Sequence, residues 1–516
     1  MKSNQDKQTK KVDVSVPNAH EVTLSLVADG QKRPDAKVAV IAAAKTEDGP
    51  ALLGSALPKK RASELTSVLP DLGFTGAAGA TLLVQGTKGD PAGVLLFVGV
   101  GSVDSSVTPE QLRRAAGVAT RTLVGRDTAV LLFPNDSEAA LAATAEGASL
   151  GVYSYTAQKS SVPDASEPLQ EVAISTPLKP SKQLTAVLTR AAVVARHTKH
   201  VRDLVNTPAN VLYPASFVDH AKAQAKGLNV DITVWDEKKL ESEGFGGILG
   251  VGRGSKRPPR LVKVEYSPRG AKKELALVGK GITFDTGGIS LKPPASMEEM
   301  KSDMAGAATV LHAALAAAEL GLKVKVTSWL CLAENMPGGG ATRPGDVLRM
   351  YNGKTVEVTN TDAEGRLVMA DGLSKASESE PDLLYDIATL TGAQVVSLGL
   401  RTAGLMGDDE AVAALSAASS ATAEPFWAMP FPEEIREDLD SATADLRNSG
   451  NRNGGMLKAG IFLSEFVASH ESRAKAWGHL DVAGPAFNTG APWGFTPKEG
   501  TGFGLRTLVA VADALA

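Results

Sequence analysis

The chain has 516 residues, with 54 Lys and Arg against 58 Asp and Glu, a net charge of −4 and a pI of about 6.1. No run of about 18 apolar residues occurs, which excludes a membrane-spanning helix, and the balanced charge argues against a nucleic-acid binder driven by overall charge. Cys331 is the only cysteine, so an intrachain disulfide and a cysteine-based zinc site are excluded and a reducing compartment fits.

The length suggests roughly two to four domains. The start, "MKSNQDKQTKKVDVSV", is polar and lacks the apolar segment of a secretory signal. Residues 1–11 are expected to be disordered, and the cytoplasm is the default location. Residues 12–180 read as a smaller α/β domain with a mostly parallel sheet. Its buried strands are "KVAVIAAA" (37–44), "GVLLFVGVG" (93–101) and "TAVLLFP" (128–134). "QEVAISTP" (170–177) reads as an edge or final strand. Between them lie an amphipathic helix over 109–124, with Pro109 early in it, and a helix capped by Ser137. Residues 181–205 predict one long linker helix, ended by Asn206-Thr207-Pro208. His197 and His200 lie three apart on it, a spacing that suits a metal but more often marks a solvated face.

From 206 to 516 the pattern restarts as a larger α/β domain with a central mixed sheet. Six strands are expected: "VDITVWD", "LVKVEY", "ELALVG", "KVTSWLCLAE", "DLLYDIATL" and "AWGHLDVAG". The glycines of "GILGVGRGS" (247–255) miss dinucleotide-binding spacing and read as a tight loop. "HEVTL" (20–24) lacks the second histidine of a metalloprotease helix.

The chemistry concentrates in two segments. In "LALVGKGITFDTGGISLKPPASMEEMKSDMAGAATVL" (275–310), a buried strand ends at Lys280, where open α/β sheets form sites. Asp285, Lys292 and Asp303 follow. In "NTDAEGRL" (360–367), Asp362, Glu364 and Arg366 fall within eight residues. Thr361 and Glu364 also read as a capping box for the helical run that follows. If Asp285, Asp303, Asp362 and Glu364 converge, four buried negative charges need compensation, and two divalent cations would supply it. The oxygen-rich set suits Mg2+ or Mn2+, and Zn2+ also accepts carboxylates. A neutral Lys280 adds a nitrogen, since burial beside cations depresses a lysine pKa.

These segments closely resemble the leucyl aminopeptidase family, the cytosol aminopeptidases, in its bacterial form. "NTDAEGRL" matches the family's signature octapeptide. "VGKGITFDTGG", "KSDMAGAA", "ENMPGGGATRPGDVL", "ATLTGA", "HLDVAG" and "NTPANVLYP" match further family segments. The resemblance covers essentially all of 200–516. It implies a dinuclear site in which Lys280, Asp285, Asp303 and Glu364 bind the tighter metal. Asp285, Asp362 and Glu364 would bind the more exchangeable one. Lys292 and Arg366 are the implied catalytic side chains, with bicarbonate at Arg366 as general base. Met300, Thr389, Gly392, Ala483 and Ala486 match pocket-lining positions; some relatives carry a larger Met at the last of these.

The resemblance thus implies release of N-terminal residues, preferably Leu and other apolar ones, from peptides with a free N-terminus by a homo-hexamer. Some bacterial members also bind DNA, and "LPKKRASEL" (57–65) supplies basic residues for that alternative. Other readings are another dinuclear hydrolase, such as a phosphatase, and a non-catalytic scaffold. All seven metal-binding and catalytic positions are present, which argues against the scaffold.

Overall fold

The computed structural model describes residues 20–29, 36–54, 57–161, 167–295, 297–469 and 472–516. The expected disorder over 1–11 lies outside them. The protein is a two-domain α/β structure built on two large sheets.

The N-terminal sheet contains β1 (Thr23–Ala28), β2 (Val38–Thr46), β3 (Gly49–Leu52), β4 (Thr81–Gln85), β5 (Val94–Ser102), β6 (Thr128–Leu132) and β7 (Glu171–Thr176). Its order is β1-β7-β6-β2-β5-β4, with β3 beside β2. Strands β1, β7, β6, β2 and β5 run parallel; β3 and β4 pair antiparallel. β7 is the final strand of this sheet in chain order, as one of the two readings had it, but it is not at the edge. β1 comes back to pair with it and covers that side. Helices α1 (Lys59–Val68), α2 (Pro109–Thr122) and α3 (Glu138–Gly151) belong to this domain. Thr108 and Gln111 form a capping box on α2, and the Ser137 side chain accepts from the Ala140 amide to cap α3. In the basic stretch on α1, Arg61 pairs with Asp90 at 3.1 Å and with Glu64 at 3.6 Å, so its charge is met within the domain.

Helix α4 (Lys182–Asn206) follows, capped by Ser181. It packs against α3 on one side and the larger C-terminal domain on the other. Arg202, 1% exposed, bridges the two. Its guanidinium donates to the Leu150 carbonyl at 2.8 Å and, across the junction, to Thr501 at 2.9 Å and Phe495 at 3.3 Å. Arg506, also buried, pairs with Glu146 of α3.

The C-terminal sheet holds β8 (Asp231–Trp235), β9 (Arg260–Tyr266), β10 (Glu274–Asp285) and β11 (Lys325–Asn335). Strands Leu383–Ala388, Ala403–Gly407, Phe426–Ala428 and Trp477–Asp481 complete it. The order from one edge is Phe426–Ala428, Ala403–Gly407, Trp477–Asp481, Leu383–Ala388, β10, β11, β9, β8. The central four are parallel, so their carboxyl ends open on one side; the flanking pairs are mixed. Three sequence readings are corrected. β10 does not end at Lys280 but runs on to Asp285, because Gly281 and Ile282 continue its pairing with β11. Residues 246–252 form a short helix, not a loop; an added Cβ on Gly247 would come within 2.3 Å of the Leu367 carbonyl. His197 and His200 are not on a solvated face.

Those two histidines are buried together with His220 on α5 (Pro214–Gln224) and His312 on the helix Ala305–Leu320. Burial, then neighbouring positive charge, lowers the pKa of His197 to about 3 and of His200 to about 4. Burial and His200 lower His220 to about 3, and His312 is pushed well below the ordinary range. Arg196 and Lys199 oppose protonation of His200, Glu21 favours it, and Glu319 accepts from or pairs with His197. A histidine whose folded pKa lies below its unfolded value stabilises the protein above the unfolded pKa and loses that contribution as pH falls. Urea unfolding of metal-free protein is therefore expected to show these histidines lowering stability as pH falls from 7 to 4. A His220→Gln, His312→Gln double variant should lose part of that dependence.

Candidate metal centre

The site forms where the four parallel strands end. Asp285 is the last residue of β10, and Asn335 is the last of β11. Thr389 follows strand Leu383–Ala388, and Asp481 closes strand Trp477–Asp481. Asp303 lies two residues before the helix Ala305–Leu320, and Glu364 lies immediately before the helix Gly365–Ser377.

Three carboxylates meet: Asp285, Asp303 and Glu364, all buried, each offer an oxygen within 4.8 Å of the others. Asp362 lies beside them with its side chain 33% exposed. Two lysines stand between the acids. Lys280 Nζ, from the middle of β10, is 2.9 Å from Asp303 and 2.8 Å from Glu364, and donates to the Thr389 carbonyl at 3.1 Å. Lys292 Nζ is 2.8 Å from Asp285 and also pairs with Asp362.

Neutral groups fix the acids. Asp285 Oδ1 accepts from the Gly287 amide at 2.9 Å and from Asn335 Nδ2 at 2.8 Å. Thr389 Oγ1 donates to Asp303 Oδ1 at 2.8 Å. The other Asp303 oxygen is buried with no hydrogen-bond partner among the described residues. The expected capping box is not formed. Thr361 Oγ1 instead accepts from the Ser290 amide at 2.8 Å and donates to the Gly287 carbonyl at 2.7 Å. This ties the octapeptide to the β10 loop, and the helix begins three residues later than the box requires.

Burial, followed by the neighbouring carboxylates, raises the pKa of Asp303 and Glu364, while Lys280 pulls both down. Burial also raises Asp362. For the two lysines burial works the other way, but the surrounding acids outweigh it and raise both. The pattern is that of a buried excess of negative charge: an oxygen donor set with an unused lone pair on Asp303, which suits hard or borderline divalent cations.

Arg366 is the second residue of the adjoining helix and is 8% exposed. One guanidinium nitrogen donates to the Asn448 carbonyl at 2.8 Å, and Nε is buried without a partner. Burial lowers its pKa to about 10, so it remains a cation at neutral pH. A buried guanidinium with unused donors fits a small planar anion.

Two of the five expected pocket residues contact this centre. Thr389 touches Asp303 directly, and the Met300 carbonyl accepts from the Asp303 amide at 3.3 Å. Gly392 opens the helix Gly392–Leu398 and is exposed, with nothing within 4 Å of an added Cβ. Ala483 is half-buried, whereas Ala486 is 3% exposed and belongs to the apolar core that includes Leu480 and Leu505.

Sequence reasoning gave no role to three organising residues. Asp481 accepts from the Leu390 amide at 3.2 Å, Thr391 Oγ1 at 2.7 Å and the Ala483 amide at 3.3 Å, so it joins the segments that follow two neighbouring strands. Asn335 holds Asp285 and the Thr361 carbonyl. Both are polar residues ending buried strands, a legible signal. Asn448 bonds the backbone of Thr359, Asn360 and Ala363 and so shapes the octapeptide loop. It lies in an irregular segment far along the chain and carried no such signal.

Fold and site together define a metal-dependent α/β hydrolase. Residues 199–509 match the catalytic domain of the cytosol aminopeptidase family, and residues 38–161 match that family's N-terminal domain. Probable cytosol aminopeptidases of Micrococcus luteus and Streptomyces coelicolor are 50% and 49% identical to the chain. These alignments cover 93% and 96% of this chain and 96% and 98% of those proteins. A solved structure, bottromycin maturation enzyme BotP in complex with Mn, superposes with a TM-score of 0.81 at 36% identity, over 93% of this chain and 99% of that one. The chain belongs to the cytosol aminopeptidase family. It is a metal-dependent aminopeptidase, a hydrolase that removes residues from the N-termini of peptides.

Gly365 tests the packing of this centre. A Cβ there would sit 2.5 Å from Lys280 Cε and 2.7 Å from its Nζ. Gly365→Ala is expected to displace Lys280, lower the metal content of the purified protein and reduce kcat at least about tenfold, a loss of roughly 1.4 kcal/mol in transition-state stabilisation. Unchanged metal content and kcat would show that Lys280 need not stay where it is.

Proposed function

We propose that the enzyme uses two divalent cations, Mn2+ or Zn2+ with Mg2+ also suited, to release Leu and other apolar N-terminal residues. The observation that carries this reading is the meeting of Asp285, Asp303 and Glu364 with Lys280 at the ends of parallel strands. Lys280, Asp285, Asp303 and Glu364 are assigned to the tighter ion. Asp285, Asp362 and Glu364 are assigned to the more exchangeable one. The Mn in the solved structure of the bottromycin maturation enzyme supports Mn2+ as one occupant.

When bound, the ions supply a water acidified towards neutrality and a Lewis acid for the scissile carbonyl. Lys292 is assigned the role of donor to the carbonyl oxygen as negative charge grows on it. Burial lowers its pKa, but in the metal-free chain Asp285 and Glu364 outweigh that and raise it. Arg366 is assigned to hold bicarbonate through its unused donors, and that anion would take the proton of the attacking water. Met300, Thr389, Gly392 and Ala483 form the proposed pocket for the side chain being released, with Ala486 behind them. Small and flexible walls favour an apolar residue with modest selectivity, because one methylene changes binding by only about 1–3 kcal/mol. Exposed apolar residues, Ile289, Leu291, Val396, Leu400 and Trp427, support assembly into a homo-hexamer. A cytoplasmic location is consistent with the buried free Cys331. Among the described residues no helix is long and apolar enough to cross a membrane.

Leucine-p-nitroanilide hydrolysis tests the reading. Chelation is expected to abolish turnover and Mn2+ or Zn2+ to restore it in the wild type but not in Glu364→Ala. A folded wild type that turns over no leucine anilide with any of these metals would overturn it. Lys292→Ala should bind the same metal yet lose about 100- to 1,000-fold in kcat; retention of kcat would remove Lys292 from the chemistry.

A further inference from the structure

Four of the seven histidines in the chain meet at one buried point, away from the acidic centre. His197 and His200 come from α4, His220 from α5, and His312 from the helix Ala305–Leu320. Five of the ring pairs have centroids between 5.2 and 6.4 Å apart. Four imidazoles bound to one tetrahedral ion, with metal–nitrogen bonds of about 2.0–2.1 Å, place neighbouring ring centroids roughly 5 Å apart.

Hydrogen bonding among the rings does not account for the cluster. His197 is satisfied: its Nδ1 lies 3.0 Å from His312 Nδ1 and its Nε2 lies 3.1 Å from Glu319 Oε2. His200 Nδ1, His220 Nε2 and His312 Nε2 are buried with no hydrogen-bond partner among the described residues. Each such group costs about 1–3 kcal/mol when left unmet, so three together are an expensive way to fill an apolar space. The His197 arrangement is the one metal-binding histidines adopt, one nitrogen facing the ion and the other held by a carboxylate. The nearby Arg196 is itself paired with Glu21 and Glu319, which lessens its repulsion of a cation. The rings are neutral at physiological pH, the form that ligates.

We propose that His197, His200, His220 and His312 form a second, structural metal site. It takes a divalent transition ion of the Zn2+ class and clamps α4, the junction between the domains, to two helices of the catalytic domain. The His197 and His312 Nδ1 atoms already face each other at close to ligand spacing and supply two of the ligands; the unpartnered His200 Nδ1 and His220 Nε2 supply the others, and His312 Nε2 lies outside the site. Among the described residues only the acidic trio holds three candidate ligand atoms within 4.8 Å of one another, so His200 and His220 complete the site by turning their rings inward. All-nitrogen ligation separates it chemically from the catalytic centre, whose side chains supply oxygens and one amine.

X-ray absorption at the zinc edge distinguishes the two sites, because imidazole rings give an outer-shell scattering pattern that carboxylates do not. The full-length enzyme, loaded with excess Zn2+ and freed of unbound metal, is expected to hold about three ions per chain, with three or four imidazoles on one of them. An Asp285→Asn, Glu364→Gln protein should keep the imidazole-bound ion and melt at a higher temperature with Zn2+ than without it. Glu319→Gln should weaken that ion about 10- to 100-fold, and His220→Asn at least tenfold. Leucine-anilide kcat in the presence of Mn2+ should be unchanged in His220→Asn. Zinc bound with no imidazole scattering in the wild type would overturn the proposal. So would an imidazole signal that survives His220→Asn and Glu319→Gln at full strength. Should either histidine or glutamate variant fail to fold, the wild-type spectrum alone decides.

Discussion

Carboxylates crowded under cover, and the positive charge they require, shape the catalytic half of the molecule. Two or three buried anions at hydrogen-bond range repel one another and lose hydration, each at a cost of several kcal/mol. The chain meets that cost first with its own cations. Lys280 is placed in the middle of a twelve-residue buried strand, where it is 3% exposed and in contact with Asp303 and Glu364. Such a position is tolerable for a lysine only beside acids. The rest of the local structure serves the same contact. Gly365 has no side chain because Lys280 occupies that space. Gly288 takes a φ of +65° so that the backbone can turn directly over Asn335, which holds Asp285.

The same constraint explains why the site was readable in the sequence. Its acids and lysines come from two continuous segments, 280–303 and 362–366, and the acids lie at or near a strand end or helix start that hydrophobic patterning already marks. The six strands expected in the catalytic domain are all present. What patterning missed was short or remote. Strands Ala403–Gly407 and Phe426–Ala428 carry few β-branched residues. Asn448 shapes the octapeptide loop from more than eighty residues away. The capping box in "TDAE" was a local signal that lost to tertiary contact. Thr361 gains two hydrogen bonds to the β10 loop, and these fix the loop that carries Asp285 against the one that carries Glu364.

His197 and His200 show the limit of local reading from the other side. Charged neighbours on α4, Arg196, Lys199 and Arg202, made the helix look like a solvated surface. Yet Lys199 and Arg202 are each 2% exposed or less. The helix is sandwiched, and Lys199 and Arg202 are met by backbone carbonyls from both domains. A one-dimensional pattern assigns such a helix to solvent because the partners that satisfy its charges lie up to 299 positions away.

The helix Ala305–Leu320 connects these two polar regions. Every residue from Ala305 to Ala317 is buried, and most are Ala, which lets α4, β10 and β11 approach its backbone closely. Its first turn follows Asp303, and two turns on it presents His312 to α4. A rigid, close-packed helix transmits displacement along its axis rather than absorbing it. The position of α4 and the position of Asp303 are therefore set by one element. In this arrangement the N-terminal domain does not need to touch substrate to matter for catalysis. It holds α4 through the bond from Arg202 to the Leu150 carbonyl, and α4 in turn meets the helix that follows Asp303 where His197 faces His312.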